Sequence, residues 1–316
     1  MQPRALNAAF PPTTQTRFVM ANPRKPLLVT GAAGNLGRRV VELLLQAEAG
    51  AIIATTRTPE KLADFAKRGV EVRKADFNDP QTLKAAFAGA ERLLLVSTGD
   101  LFPEGARLRQ HRAAIQAAVD AKVKHVIYTS APSPYPTPAG SLIADHFWTE
   151  QALAASPLEW TILRHHLYTE FLLGALNTAL KFGQLTNSVG KSAVNYVTRE
   201  DCARTDAAAL ASDFNGRRVL DVTGPAPITQ EELASLVTKL TGKPLRHVAV
   251  TRAEHAKILE AAKLPPFLID ALLNFNEQGA HGYHSVSPPT VQALTGKGPT
   301  SVQEFLTANK PALTAS

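Results

Sequence analysis

A single cysteine, Cys202, stands among 316 residues, which excludes an internal disulfide and any zinc centre built on paired thiolates, and fits a reducing compartment. Cys202 falls in an expected helix, where a small packed core residue is a simpler reading than a reactive thiol. No window approaches the roughly 18 uninterrupted apolar residues that a membrane span needs. An apolar run of signal-peptide length is also missing from the start, so a soluble, cytoplasmic protein is expected. Internal repeats, low-complexity tracts and metal-ligand spacings are absent too; His281 and His284 flank Gly282 and Tyr283 without a third ligand nearby, so no metal is expected.

Residues 1–25 lack acidic side chains and hydrophobic periodicity and contain Pro3, Pro11, Pro12 and Pro23. Disorder is expected there. Residues 1–19, acid-free and arginine-containing, bear a weak likeness to an organelle transit peptide. Met20 opens MANPRKPLLVTG, a natural start for the fold that follows, so these nineteen residues also read as a dispensable tail. The net charge of +7 would suit nucleic acid, but Arg4, Arg17, Arg24 and Lys25 supply four charges before the first strand. No basic run with interleaved aromatics follows, and a mildly basic face that attracts an anionic cofactor is the simpler account.

Residues 26–45, PLLVTGAAGNLGRRVVELLL, organise what is present. Leu27, Leu28 and Val29 form a short apolar run of the kind a parallel sheet buries on both faces. Gly31 follows for a tight bend, Gly34 for close backbone approach to a pyrophosphate, and Gly37 for packing of a helix on the strand. Val40, Val41, Leu44 and Leu45 repeat at helical spacing, which aims the unpaired N–H groups of the first turn at an anion. Three glycines alone are a weak signal; their place between strand and helix makes a dinucleotide site.

A second strand over 51–55 ends in Thr56-Arg57-Thr58. An NAD site usually has an acidic residue at this point, and none lies between Ile52 and Thr58. Arg57 suits the 2′-phosphate of NADP instead, its plain alternative being a solvated arginine that opens the next helix. A helix over 59–67 and a third strand over 70–74 lead to Asp76, which either accepts from the adenine amino group or closes the turn before Asn78-Asp79-Pro80. After a helix over 81–88, a fourth strand over 92–97 ends in Ser97-Thr98-Gly99, expected beside the nicotinamide ribose.

A helix over 106–121, a strand over 123–130, a helix over 145–155 and a strand over 158–164 continue the alternation. It predicts an α/β fold, a Rossmann-type doubly wound parallel sheet, with the NADP-binding domain over 26–165. A smaller, mostly helical C-terminal substrate region is expected over 166–316, some of its segments joining the sheet. Its helices are expected at 170–182, 199–211, 230–241, 253–262 and 266–275, with extended pieces at 194–197, 219–222 and 245–250. Pro132, Pro134, Pro136 and Pro138 mark a loop over the sheet edge, expected to form part of a substrate lid.

The motifs TGAAGNLG (30–37), LLLVS (93–97), HVIYTS (125–130), HFWTE (146–150), WTILRHHLYTEF (160–171) and VTREDCA (197–203) together resemble the NmrA-like branch of the atypical short-chain dehydrogenase/reductase family. Within it they are most similar to type 2 NAD(P)H:quinone oxidoreductases and triphenylmethane-dye reductases. The resemblance runs from about residue 26 to 310. It implies that Gly31, Gly34, Asn35, Leu36, Gly37, Arg57, Asp76, Ser97 and Thr98 line an NADP(H) site. Most active members of the wider family use a Tyr-x-x-x-Lys pair, whose ammonium lowers the phenol pKa. Here Pro132, Ala139, Leu172, Glu200 and Ser287 stand four residues after Tyr128, Tyr135, Tyr168, Tyr196 and Tyr283, so ordinary alcohol oxidation loses its support.

A quinone needs no strong enzymic acid, because the hydroquinone anion is stabilised by its own ring; position and a dry pocket suffice. His146, His165, His166 and Tyr168 are the groups expected to orient or protonate such an acceptor, and Phe102, Tyr135, Phe147 and Phe171 the expected aromatic wall. Each has a plainer reading. His146 is equally a helix-start residue, one of His165 and His166 is expected to turn into the fold, and Tyr168 equally reads as a core tyrosine. Glu150 and Trp148 read as structural. The expected activity is NADPH-dependent reduction of a quinone or related conjugated acceptor, with an NADP(H)-binding redox sensor or a reductase of a biosynthetic intermediate as alternatives. The expected partner is a small aromatic molecule, and a homodimer is among the expected assemblies.

Overall fold

The computed structural model describes residues 26–100, 103–132, 135–136 and 142–314. Expectations for residues 1–25, for Phe102 and for most of the proline loop lie outside the described residues.

Six strands alternate with helices: β1 (Leu27–Val29), α1 (Asn35–Gln46), β2 (Ile52–Thr56), α2 (Ala63–Ala66, behind a 3-10 turn over Pro59–Leu62), β3 (Glu71–Lys74), α3 (Pro80–Phe87), β4 (Arg92–Leu95), α4 (Ala106–Asp120), β5 (His125–Ser130), α5 (Leu142–Ala155) and β6 (Glu159–His165). A seventh sheet strand, Arg217–Val222, comes from the C-terminal half. The sheet runs β3-β2-β1-β4-β5-β6 and then Arg217–Val222, with every neighbour parallel. The two halves of the chain therefore share one sheet.

Side chains alternate across a strand, and the apolar runs serve both faces. Leu27, Val29, Ile52, Ala54, Leu94, Ile127 and Leu163 meet Val40, Val41 and Leu44 of α1, with Ala203 and Leu210 of helix α7 (Arg199–Ala211) in the same core. α6 spans Phe171–Phe182, ahead of α7. Leu28, Ile53, Leu93, Leu95, Val126 and Ile162 meet Leu83 and Phe87 of α3, Ala114 and Ile115 of α4 and Leu153 of α5. Cys202 belongs to the first core, fully buried, and burial pushes its thiol well above the ordinary range.

A third core lies in the C-terminal region, where Leu172 and Leu176 of α6 pack with Leu233, Val237 and Leu306. Four helices of the C-terminal half start on side-chain caps: Thr198 for α7, and full capping boxes at Thr229/Glu232, Thr251/Glu254 and Ser301/Glu304. The strand Gln184–Asn187, absent from the sequence reading, pairs in parallel with Arg246–Ala249. It has no alternation of its own; the pairing creates it. The helices Thr290–Thr295, Val302–Ala308 and Lys310–Thr314 were also unforeseen, and the helix expected over 266–275 extends to Ala280. Gln278 and Gly279 are buried there, so packing carries that helix through a polar stretch.

Four buried histidines are kept neutral by the same packing. Burial, with Arg107 beside it, takes His111 down to about 3. Burial with Arg92 and Arg218 takes His125 to about 3, and burial with His166 takes His284 to about 4. His146 lies well below its ordinary value, through burial first and then Arg107, His111 and His165. In the unfolded chain each protonates near 6.5, so on acidification the unfolded chain binds more protons, and stability is lost as pH falls below that value.

Two outcomes follow from this packing. A Cβ at Gly224 would stand 2.1 Å from the Tyr196 carbonyl oxygen and 3.0 Å from Asn195 Oδ1, whereas one at Gly99 would meet nothing within 4 Å. Gly224→Ala is expected to cost about 3 kcal/mol in urea denaturation, and Gly99→Ala close to none. The four histidines are expected to lower stability by about 5 kcal/mol per pH unit near pH 5; urea curves that coincide at pH 7 and pH 5 would contradict their neutrality.

Candidate functional site

All seven parallel strands end on one edge, and the loops that leave them carry the candidate residues. Gly31 turns with φ +61°, and Gly34 N–H donates to the Gly31 carbonyl at 2.9 Å. A Cβ on Gly37 would stand 2.6 Å from that same oxygen, so only glycine lets α1 begin so close to β1. α1 starts on Gly34 with no side-chain cap and no acidic residue in its first turn, unlike the capped helices of the C-terminal region. The N–H groups of Asn35, Leu36 and Gly37 precede the first intrahelical donor, Arg38 N–H, which bonds the Gly34 carbonyl at 2.9 Å, and so offer a cradle for an anion. This uncapped first turn, seated against β1 where a Gly37 Cβ would clash with the backbone, fits a dinucleotide pyrophosphate.

Arg57 follows β2 with its side chain 65% exposed. Its Nη1 lies 3.8 Å from Asp100 Oδ2, a carboxylate that a search for acids near β2 does not reach, since Asp100 follows β4. Asp100 also accepts from Gln110 Nε2 at 2.9 Å. An ion pair this loose and exposed is worth little, and the guanidinium stays available. Arg38, unforeseen, sits 4.7 Å over the Phe65 ring and donates to Asp64 Oδ2 at 2.8 Å and to the Lys61 carbonyl at 2.6 Å. It ties α1 to the segment that follows Arg57. Asp76 lies just beyond β3, where its Oδ1 accepts from Asn78 N–H at 2.9 Å, so the turn role is realised.

Beyond β4, Ser97 N–H donates to Thr129 Oγ1 at 2.9 Å and Thr98 N–H donates to His111 Nε2 at 3.1 Å. Thr98 Oγ1 is buried with no partner among the described residues. Because His111 Nε2 accepts, its Nδ1 carries the proton and donates to Thr149 Oγ1 at 3.0 Å, which passes a bond to the Asp145 carbonyl at 2.6 Å. Tyr128 Oη lies 2.8 Å from His146 Nδ1, and Arg107 Nη1 lies 3.3 Å from His146 Nε2. Arginine only donates, so His146 Nε2 accepts and its Nδ1–H donates to the phenol oxygen. Both ring nitrogens of His146 are thus engaged inside the fold, which turns it into a brace between α4, β5 and α5. Burial pushes the Tyr128 phenol upward as it pushes His111 and His146 down.

His165 and Tyr168 lie against α7 instead. His165 Nε2 is 2.9 Å from Asp206 Oδ1, and its Nδ1 is 3.3 Å from Tyr168 Oη. Asp206 was not singled out in the sequence; only its helical register opposite the end of β6 reveals it. Burial first, then Cys202 and Asp206, hold the Tyr168 phenol well above 10, against the pull of Arg199. The Tyr168 ring lies 5.8 Å from that of Phe171, 61% exposed, and the Arg199 guanidinium sits 5.3 Å over the first and 5.4 Å over the second.

His166 points elsewhere, to Asp221 Oδ1 at 3.2 Å and toward the His284 ring at 6.1 Å. Phe147 packs edge-on against Trp148 at 5.0 Å, and Tyr135 is exposed. Glu150 receives two bonds from Arg164, at 3.0 and 2.6 Å, and one from Ser130 Oγ at 2.6 Å, a structural clamp between α5 and two strands. His284 is bound to Gln278 at 3.0 Å, while His281 lies against Tyr283. Among the described residues no three His, Cys, Asp or Glu side chains gather as a metal site, and no helix is long and apolar enough to cross a membrane.

The family model for NAD(P)H-binding proteins matches residues 31–213. Quinone oxidoreductase 2 of Escherichia coli (strain K12) is 33% identical over 279 residues, 88% of this chain and 96% of that protein. The structure of the Escherichia coli NADPH-dependent quinone oxidoreductase QOR2 complexed with NADPH superposes with a TM-score of 0.83 at 32% identity, covering 90% of this chain and 99% of the other. Citrobacter sp. triphenylmethane reductase complexed with NADP(H) gives a TM-score of 0.79 at 31% identity, with the same coverage. An NmrA-like family domain-containing oxidoreductase of Aspergillus flavus is 32% identical over 234 residues, 70% of this chain and 74% of the relative. A cradle for a dinucleotide on a Rossmann-type sheet, and likeness over most of the chain, agree: the protein belongs to the NAD(P)H-binding, NmrA-like family of oxidoreductases.

Proposed function

We propose that this protein is an NADPH-dependent reductase that passes a hydride to a quinone or related conjugated acceptor. The observation that carries the reading is the pairing at one sheet edge of an intact phosphate cradle with His165 and Tyr168, in a chain without a Tyr-x-x-x-Lys pair. The names of two relatives, a quinone oxidoreductase and a triphenylmethane reductase, support an acceptor whose conjugated system takes up two electrons.

In this reading the first-turn N–H groups of α1 hold the pyrophosphate, and Arg57 binds the 2′-phosphate. The Thr98 hydroxyl, buried and without a partner among the described residues, receives the nicotinamide ribose, while the Thr98 N–H bond to His111 fixes the loop that presents it. Bound there, the cofactor supplies the hydride. Tyr168, Phe171 and Arg199 offer an aromatic and cationic face to an aromatic acceptor and shield it from water. The hydroquinone anion spreads its charge over its own ring, so positioning does most of the work.

NADPH oxidation is expected to depend on added benzoquinones across a panel of substituents; tight NADPH binding with no acceptor-dependent oxidation would overturn the proposal. Arg57→Ala is expected to weaken NADPH about 10- to 100-fold, the worth of a charge-assisted bond, and NADH hardly at all. Titration calorimetry with both cofactors measures this, and equal losses would remove Arg57 from the 2′-phosphate.

A further inference from the structure

Asp206 is fully buried, in an α7 segment flanked by Ala207, Ala208 and Ala209. Among the described residues its Oδ1 meets His165 Nε2 at 2.9 Å, and its Oδ2 has no partner. A carboxylate buried with a single partner is costly, and an apolar residue of similar volume would pack there without that cost. What the carboxylate provides is orientation: when ionised it only accepts, so the proton of His165 sits on Nε2 and Nδ1 is turned to Tyr168 Oη at 3.3 Å. The fixed series is carboxylate, imidazole, phenol, and it ends beside the aromatic face of Phe171 and Arg199.

We propose that Asp206, His165 and Tyr168 form a proton relay that completes reduction of the acceptor, with Tyr168 as the terminal acid and Asp206 as a positioning residue. The relay rests on the reductase reading above. An acceptor laid on that face and shielded by it from water takes through the protein the proton that hydride transfer leaves wanting. The acceptor gains two electrons with the hydride, and the electron pair comes to rest on a carbonyl oxygen. An O–H bond forms there as the Tyr168 O–H bond breaks; the phenolate oxygen is reprotonated through His165 Nδ1, while the Nε2–H stays on Asp206. Solvent returns one proton to His165, and no residue of the relay changes oxidation state. Burial keeps the phenol protonated, so its proton is in place when the acceptor binds. The charged and titratable groups that face the relay are Cys202, Arg199 and Glu170 around Tyr168, and His146 toward His165.

The test compares two acceptors. A quinone needs a proton besides the hydride, whereas a cationic triarylmethyl dye becomes a neutral leuco product by taking the hydride alone. Asp206→Asn and Tyr168→Phe, checked for folding by thermal denaturation, are expected to lower kcat for a benzoquinone at least about tenfold with KM within about threefold, and kcat for the dye less than about threefold. A solvent deuterium effect is expected on quinone reduction by the unaltered protein and not on dye reduction. In cofactor-free protein, a strongly downfield imidazole N–H resonance, assigned to His165 by its loss in His165→Gln, is expected to disappear in Asp206→Asn. Equal losses with both acceptors, or none with either, would overturn the relay while leaving the reductase reading intact. Absence of quinone turnover by the unaltered protein despite NADPH binding would overturn that reading, and the relay with it.

Discussion

The approach of Gly37 to the Gly31 carbonyl is the constraint on which the rest of the site depends. With no room for a methyl group between them, α1 is seated directly on β1, and its uncapped first turn comes to lie at the carboxyl edge of the sheet. The same seating brings Arg38 over Phe65 and onto Asp64, which holds the segment beyond Arg57 relative to the helix. Phosphate cradle and candidate 2′-phosphate group are thus positioned by one backbone contact and one arginine. In the proposed cofactor cradle side chains contribute little; its donors would be main-chain N–H groups whose direction the helix sets.

Around that edge the sheet sorts its buried polar groups by face. Toward α4 and α5, His111, Tyr128 and His146 form a brace that reaches the backbone of Thr98, with neutral members apart from Arg107. Toward α7, the carboxylate of Asp206 meets His165 and Tyr168. One network is closed on itself. The other ends at Tyr168, a half-buried residue beside the exposed Phe171, which favours the α7 side for the proposed proton transfer and the other for the loop-holding role.

Much of the architecture was legible because parallel strands buried on both faces are continuous apolar runs, and Leu27–Val29 and Arg92–Leu95 read that way directly. The glycine turn was legible for the same local reason. Four things were not. Asp100 lies 43 residues beyond Arg57 in the chain and comes within 3.8 Å of it only through the order of β2, β1 and β4. Asp206 looks like any polar residue of a helix until α7 is laid against β6. Gln184–Asn187 is strand only because Arg246–Ala249 pairs with it. His146, read as a group for the acceptor, is claimed on both nitrogens by Tyr128 and Arg107, two partners that sequence spacing does not reveal.

A crystal structure of the protein with NADPH and a non-reducible quinone analogue tests the central claim most directly. The expected result is a pyrophosphate on the N–H groups of Leu36 and Gly37, a 2′-phosphate on Arg57, and an analogue oxygen within hydrogen-bonding distance of the Tyr168 hydroxyl. A dinucleotide bound away from the start of α1, or an analogue seated out of reach of Tyr168, would contradict it.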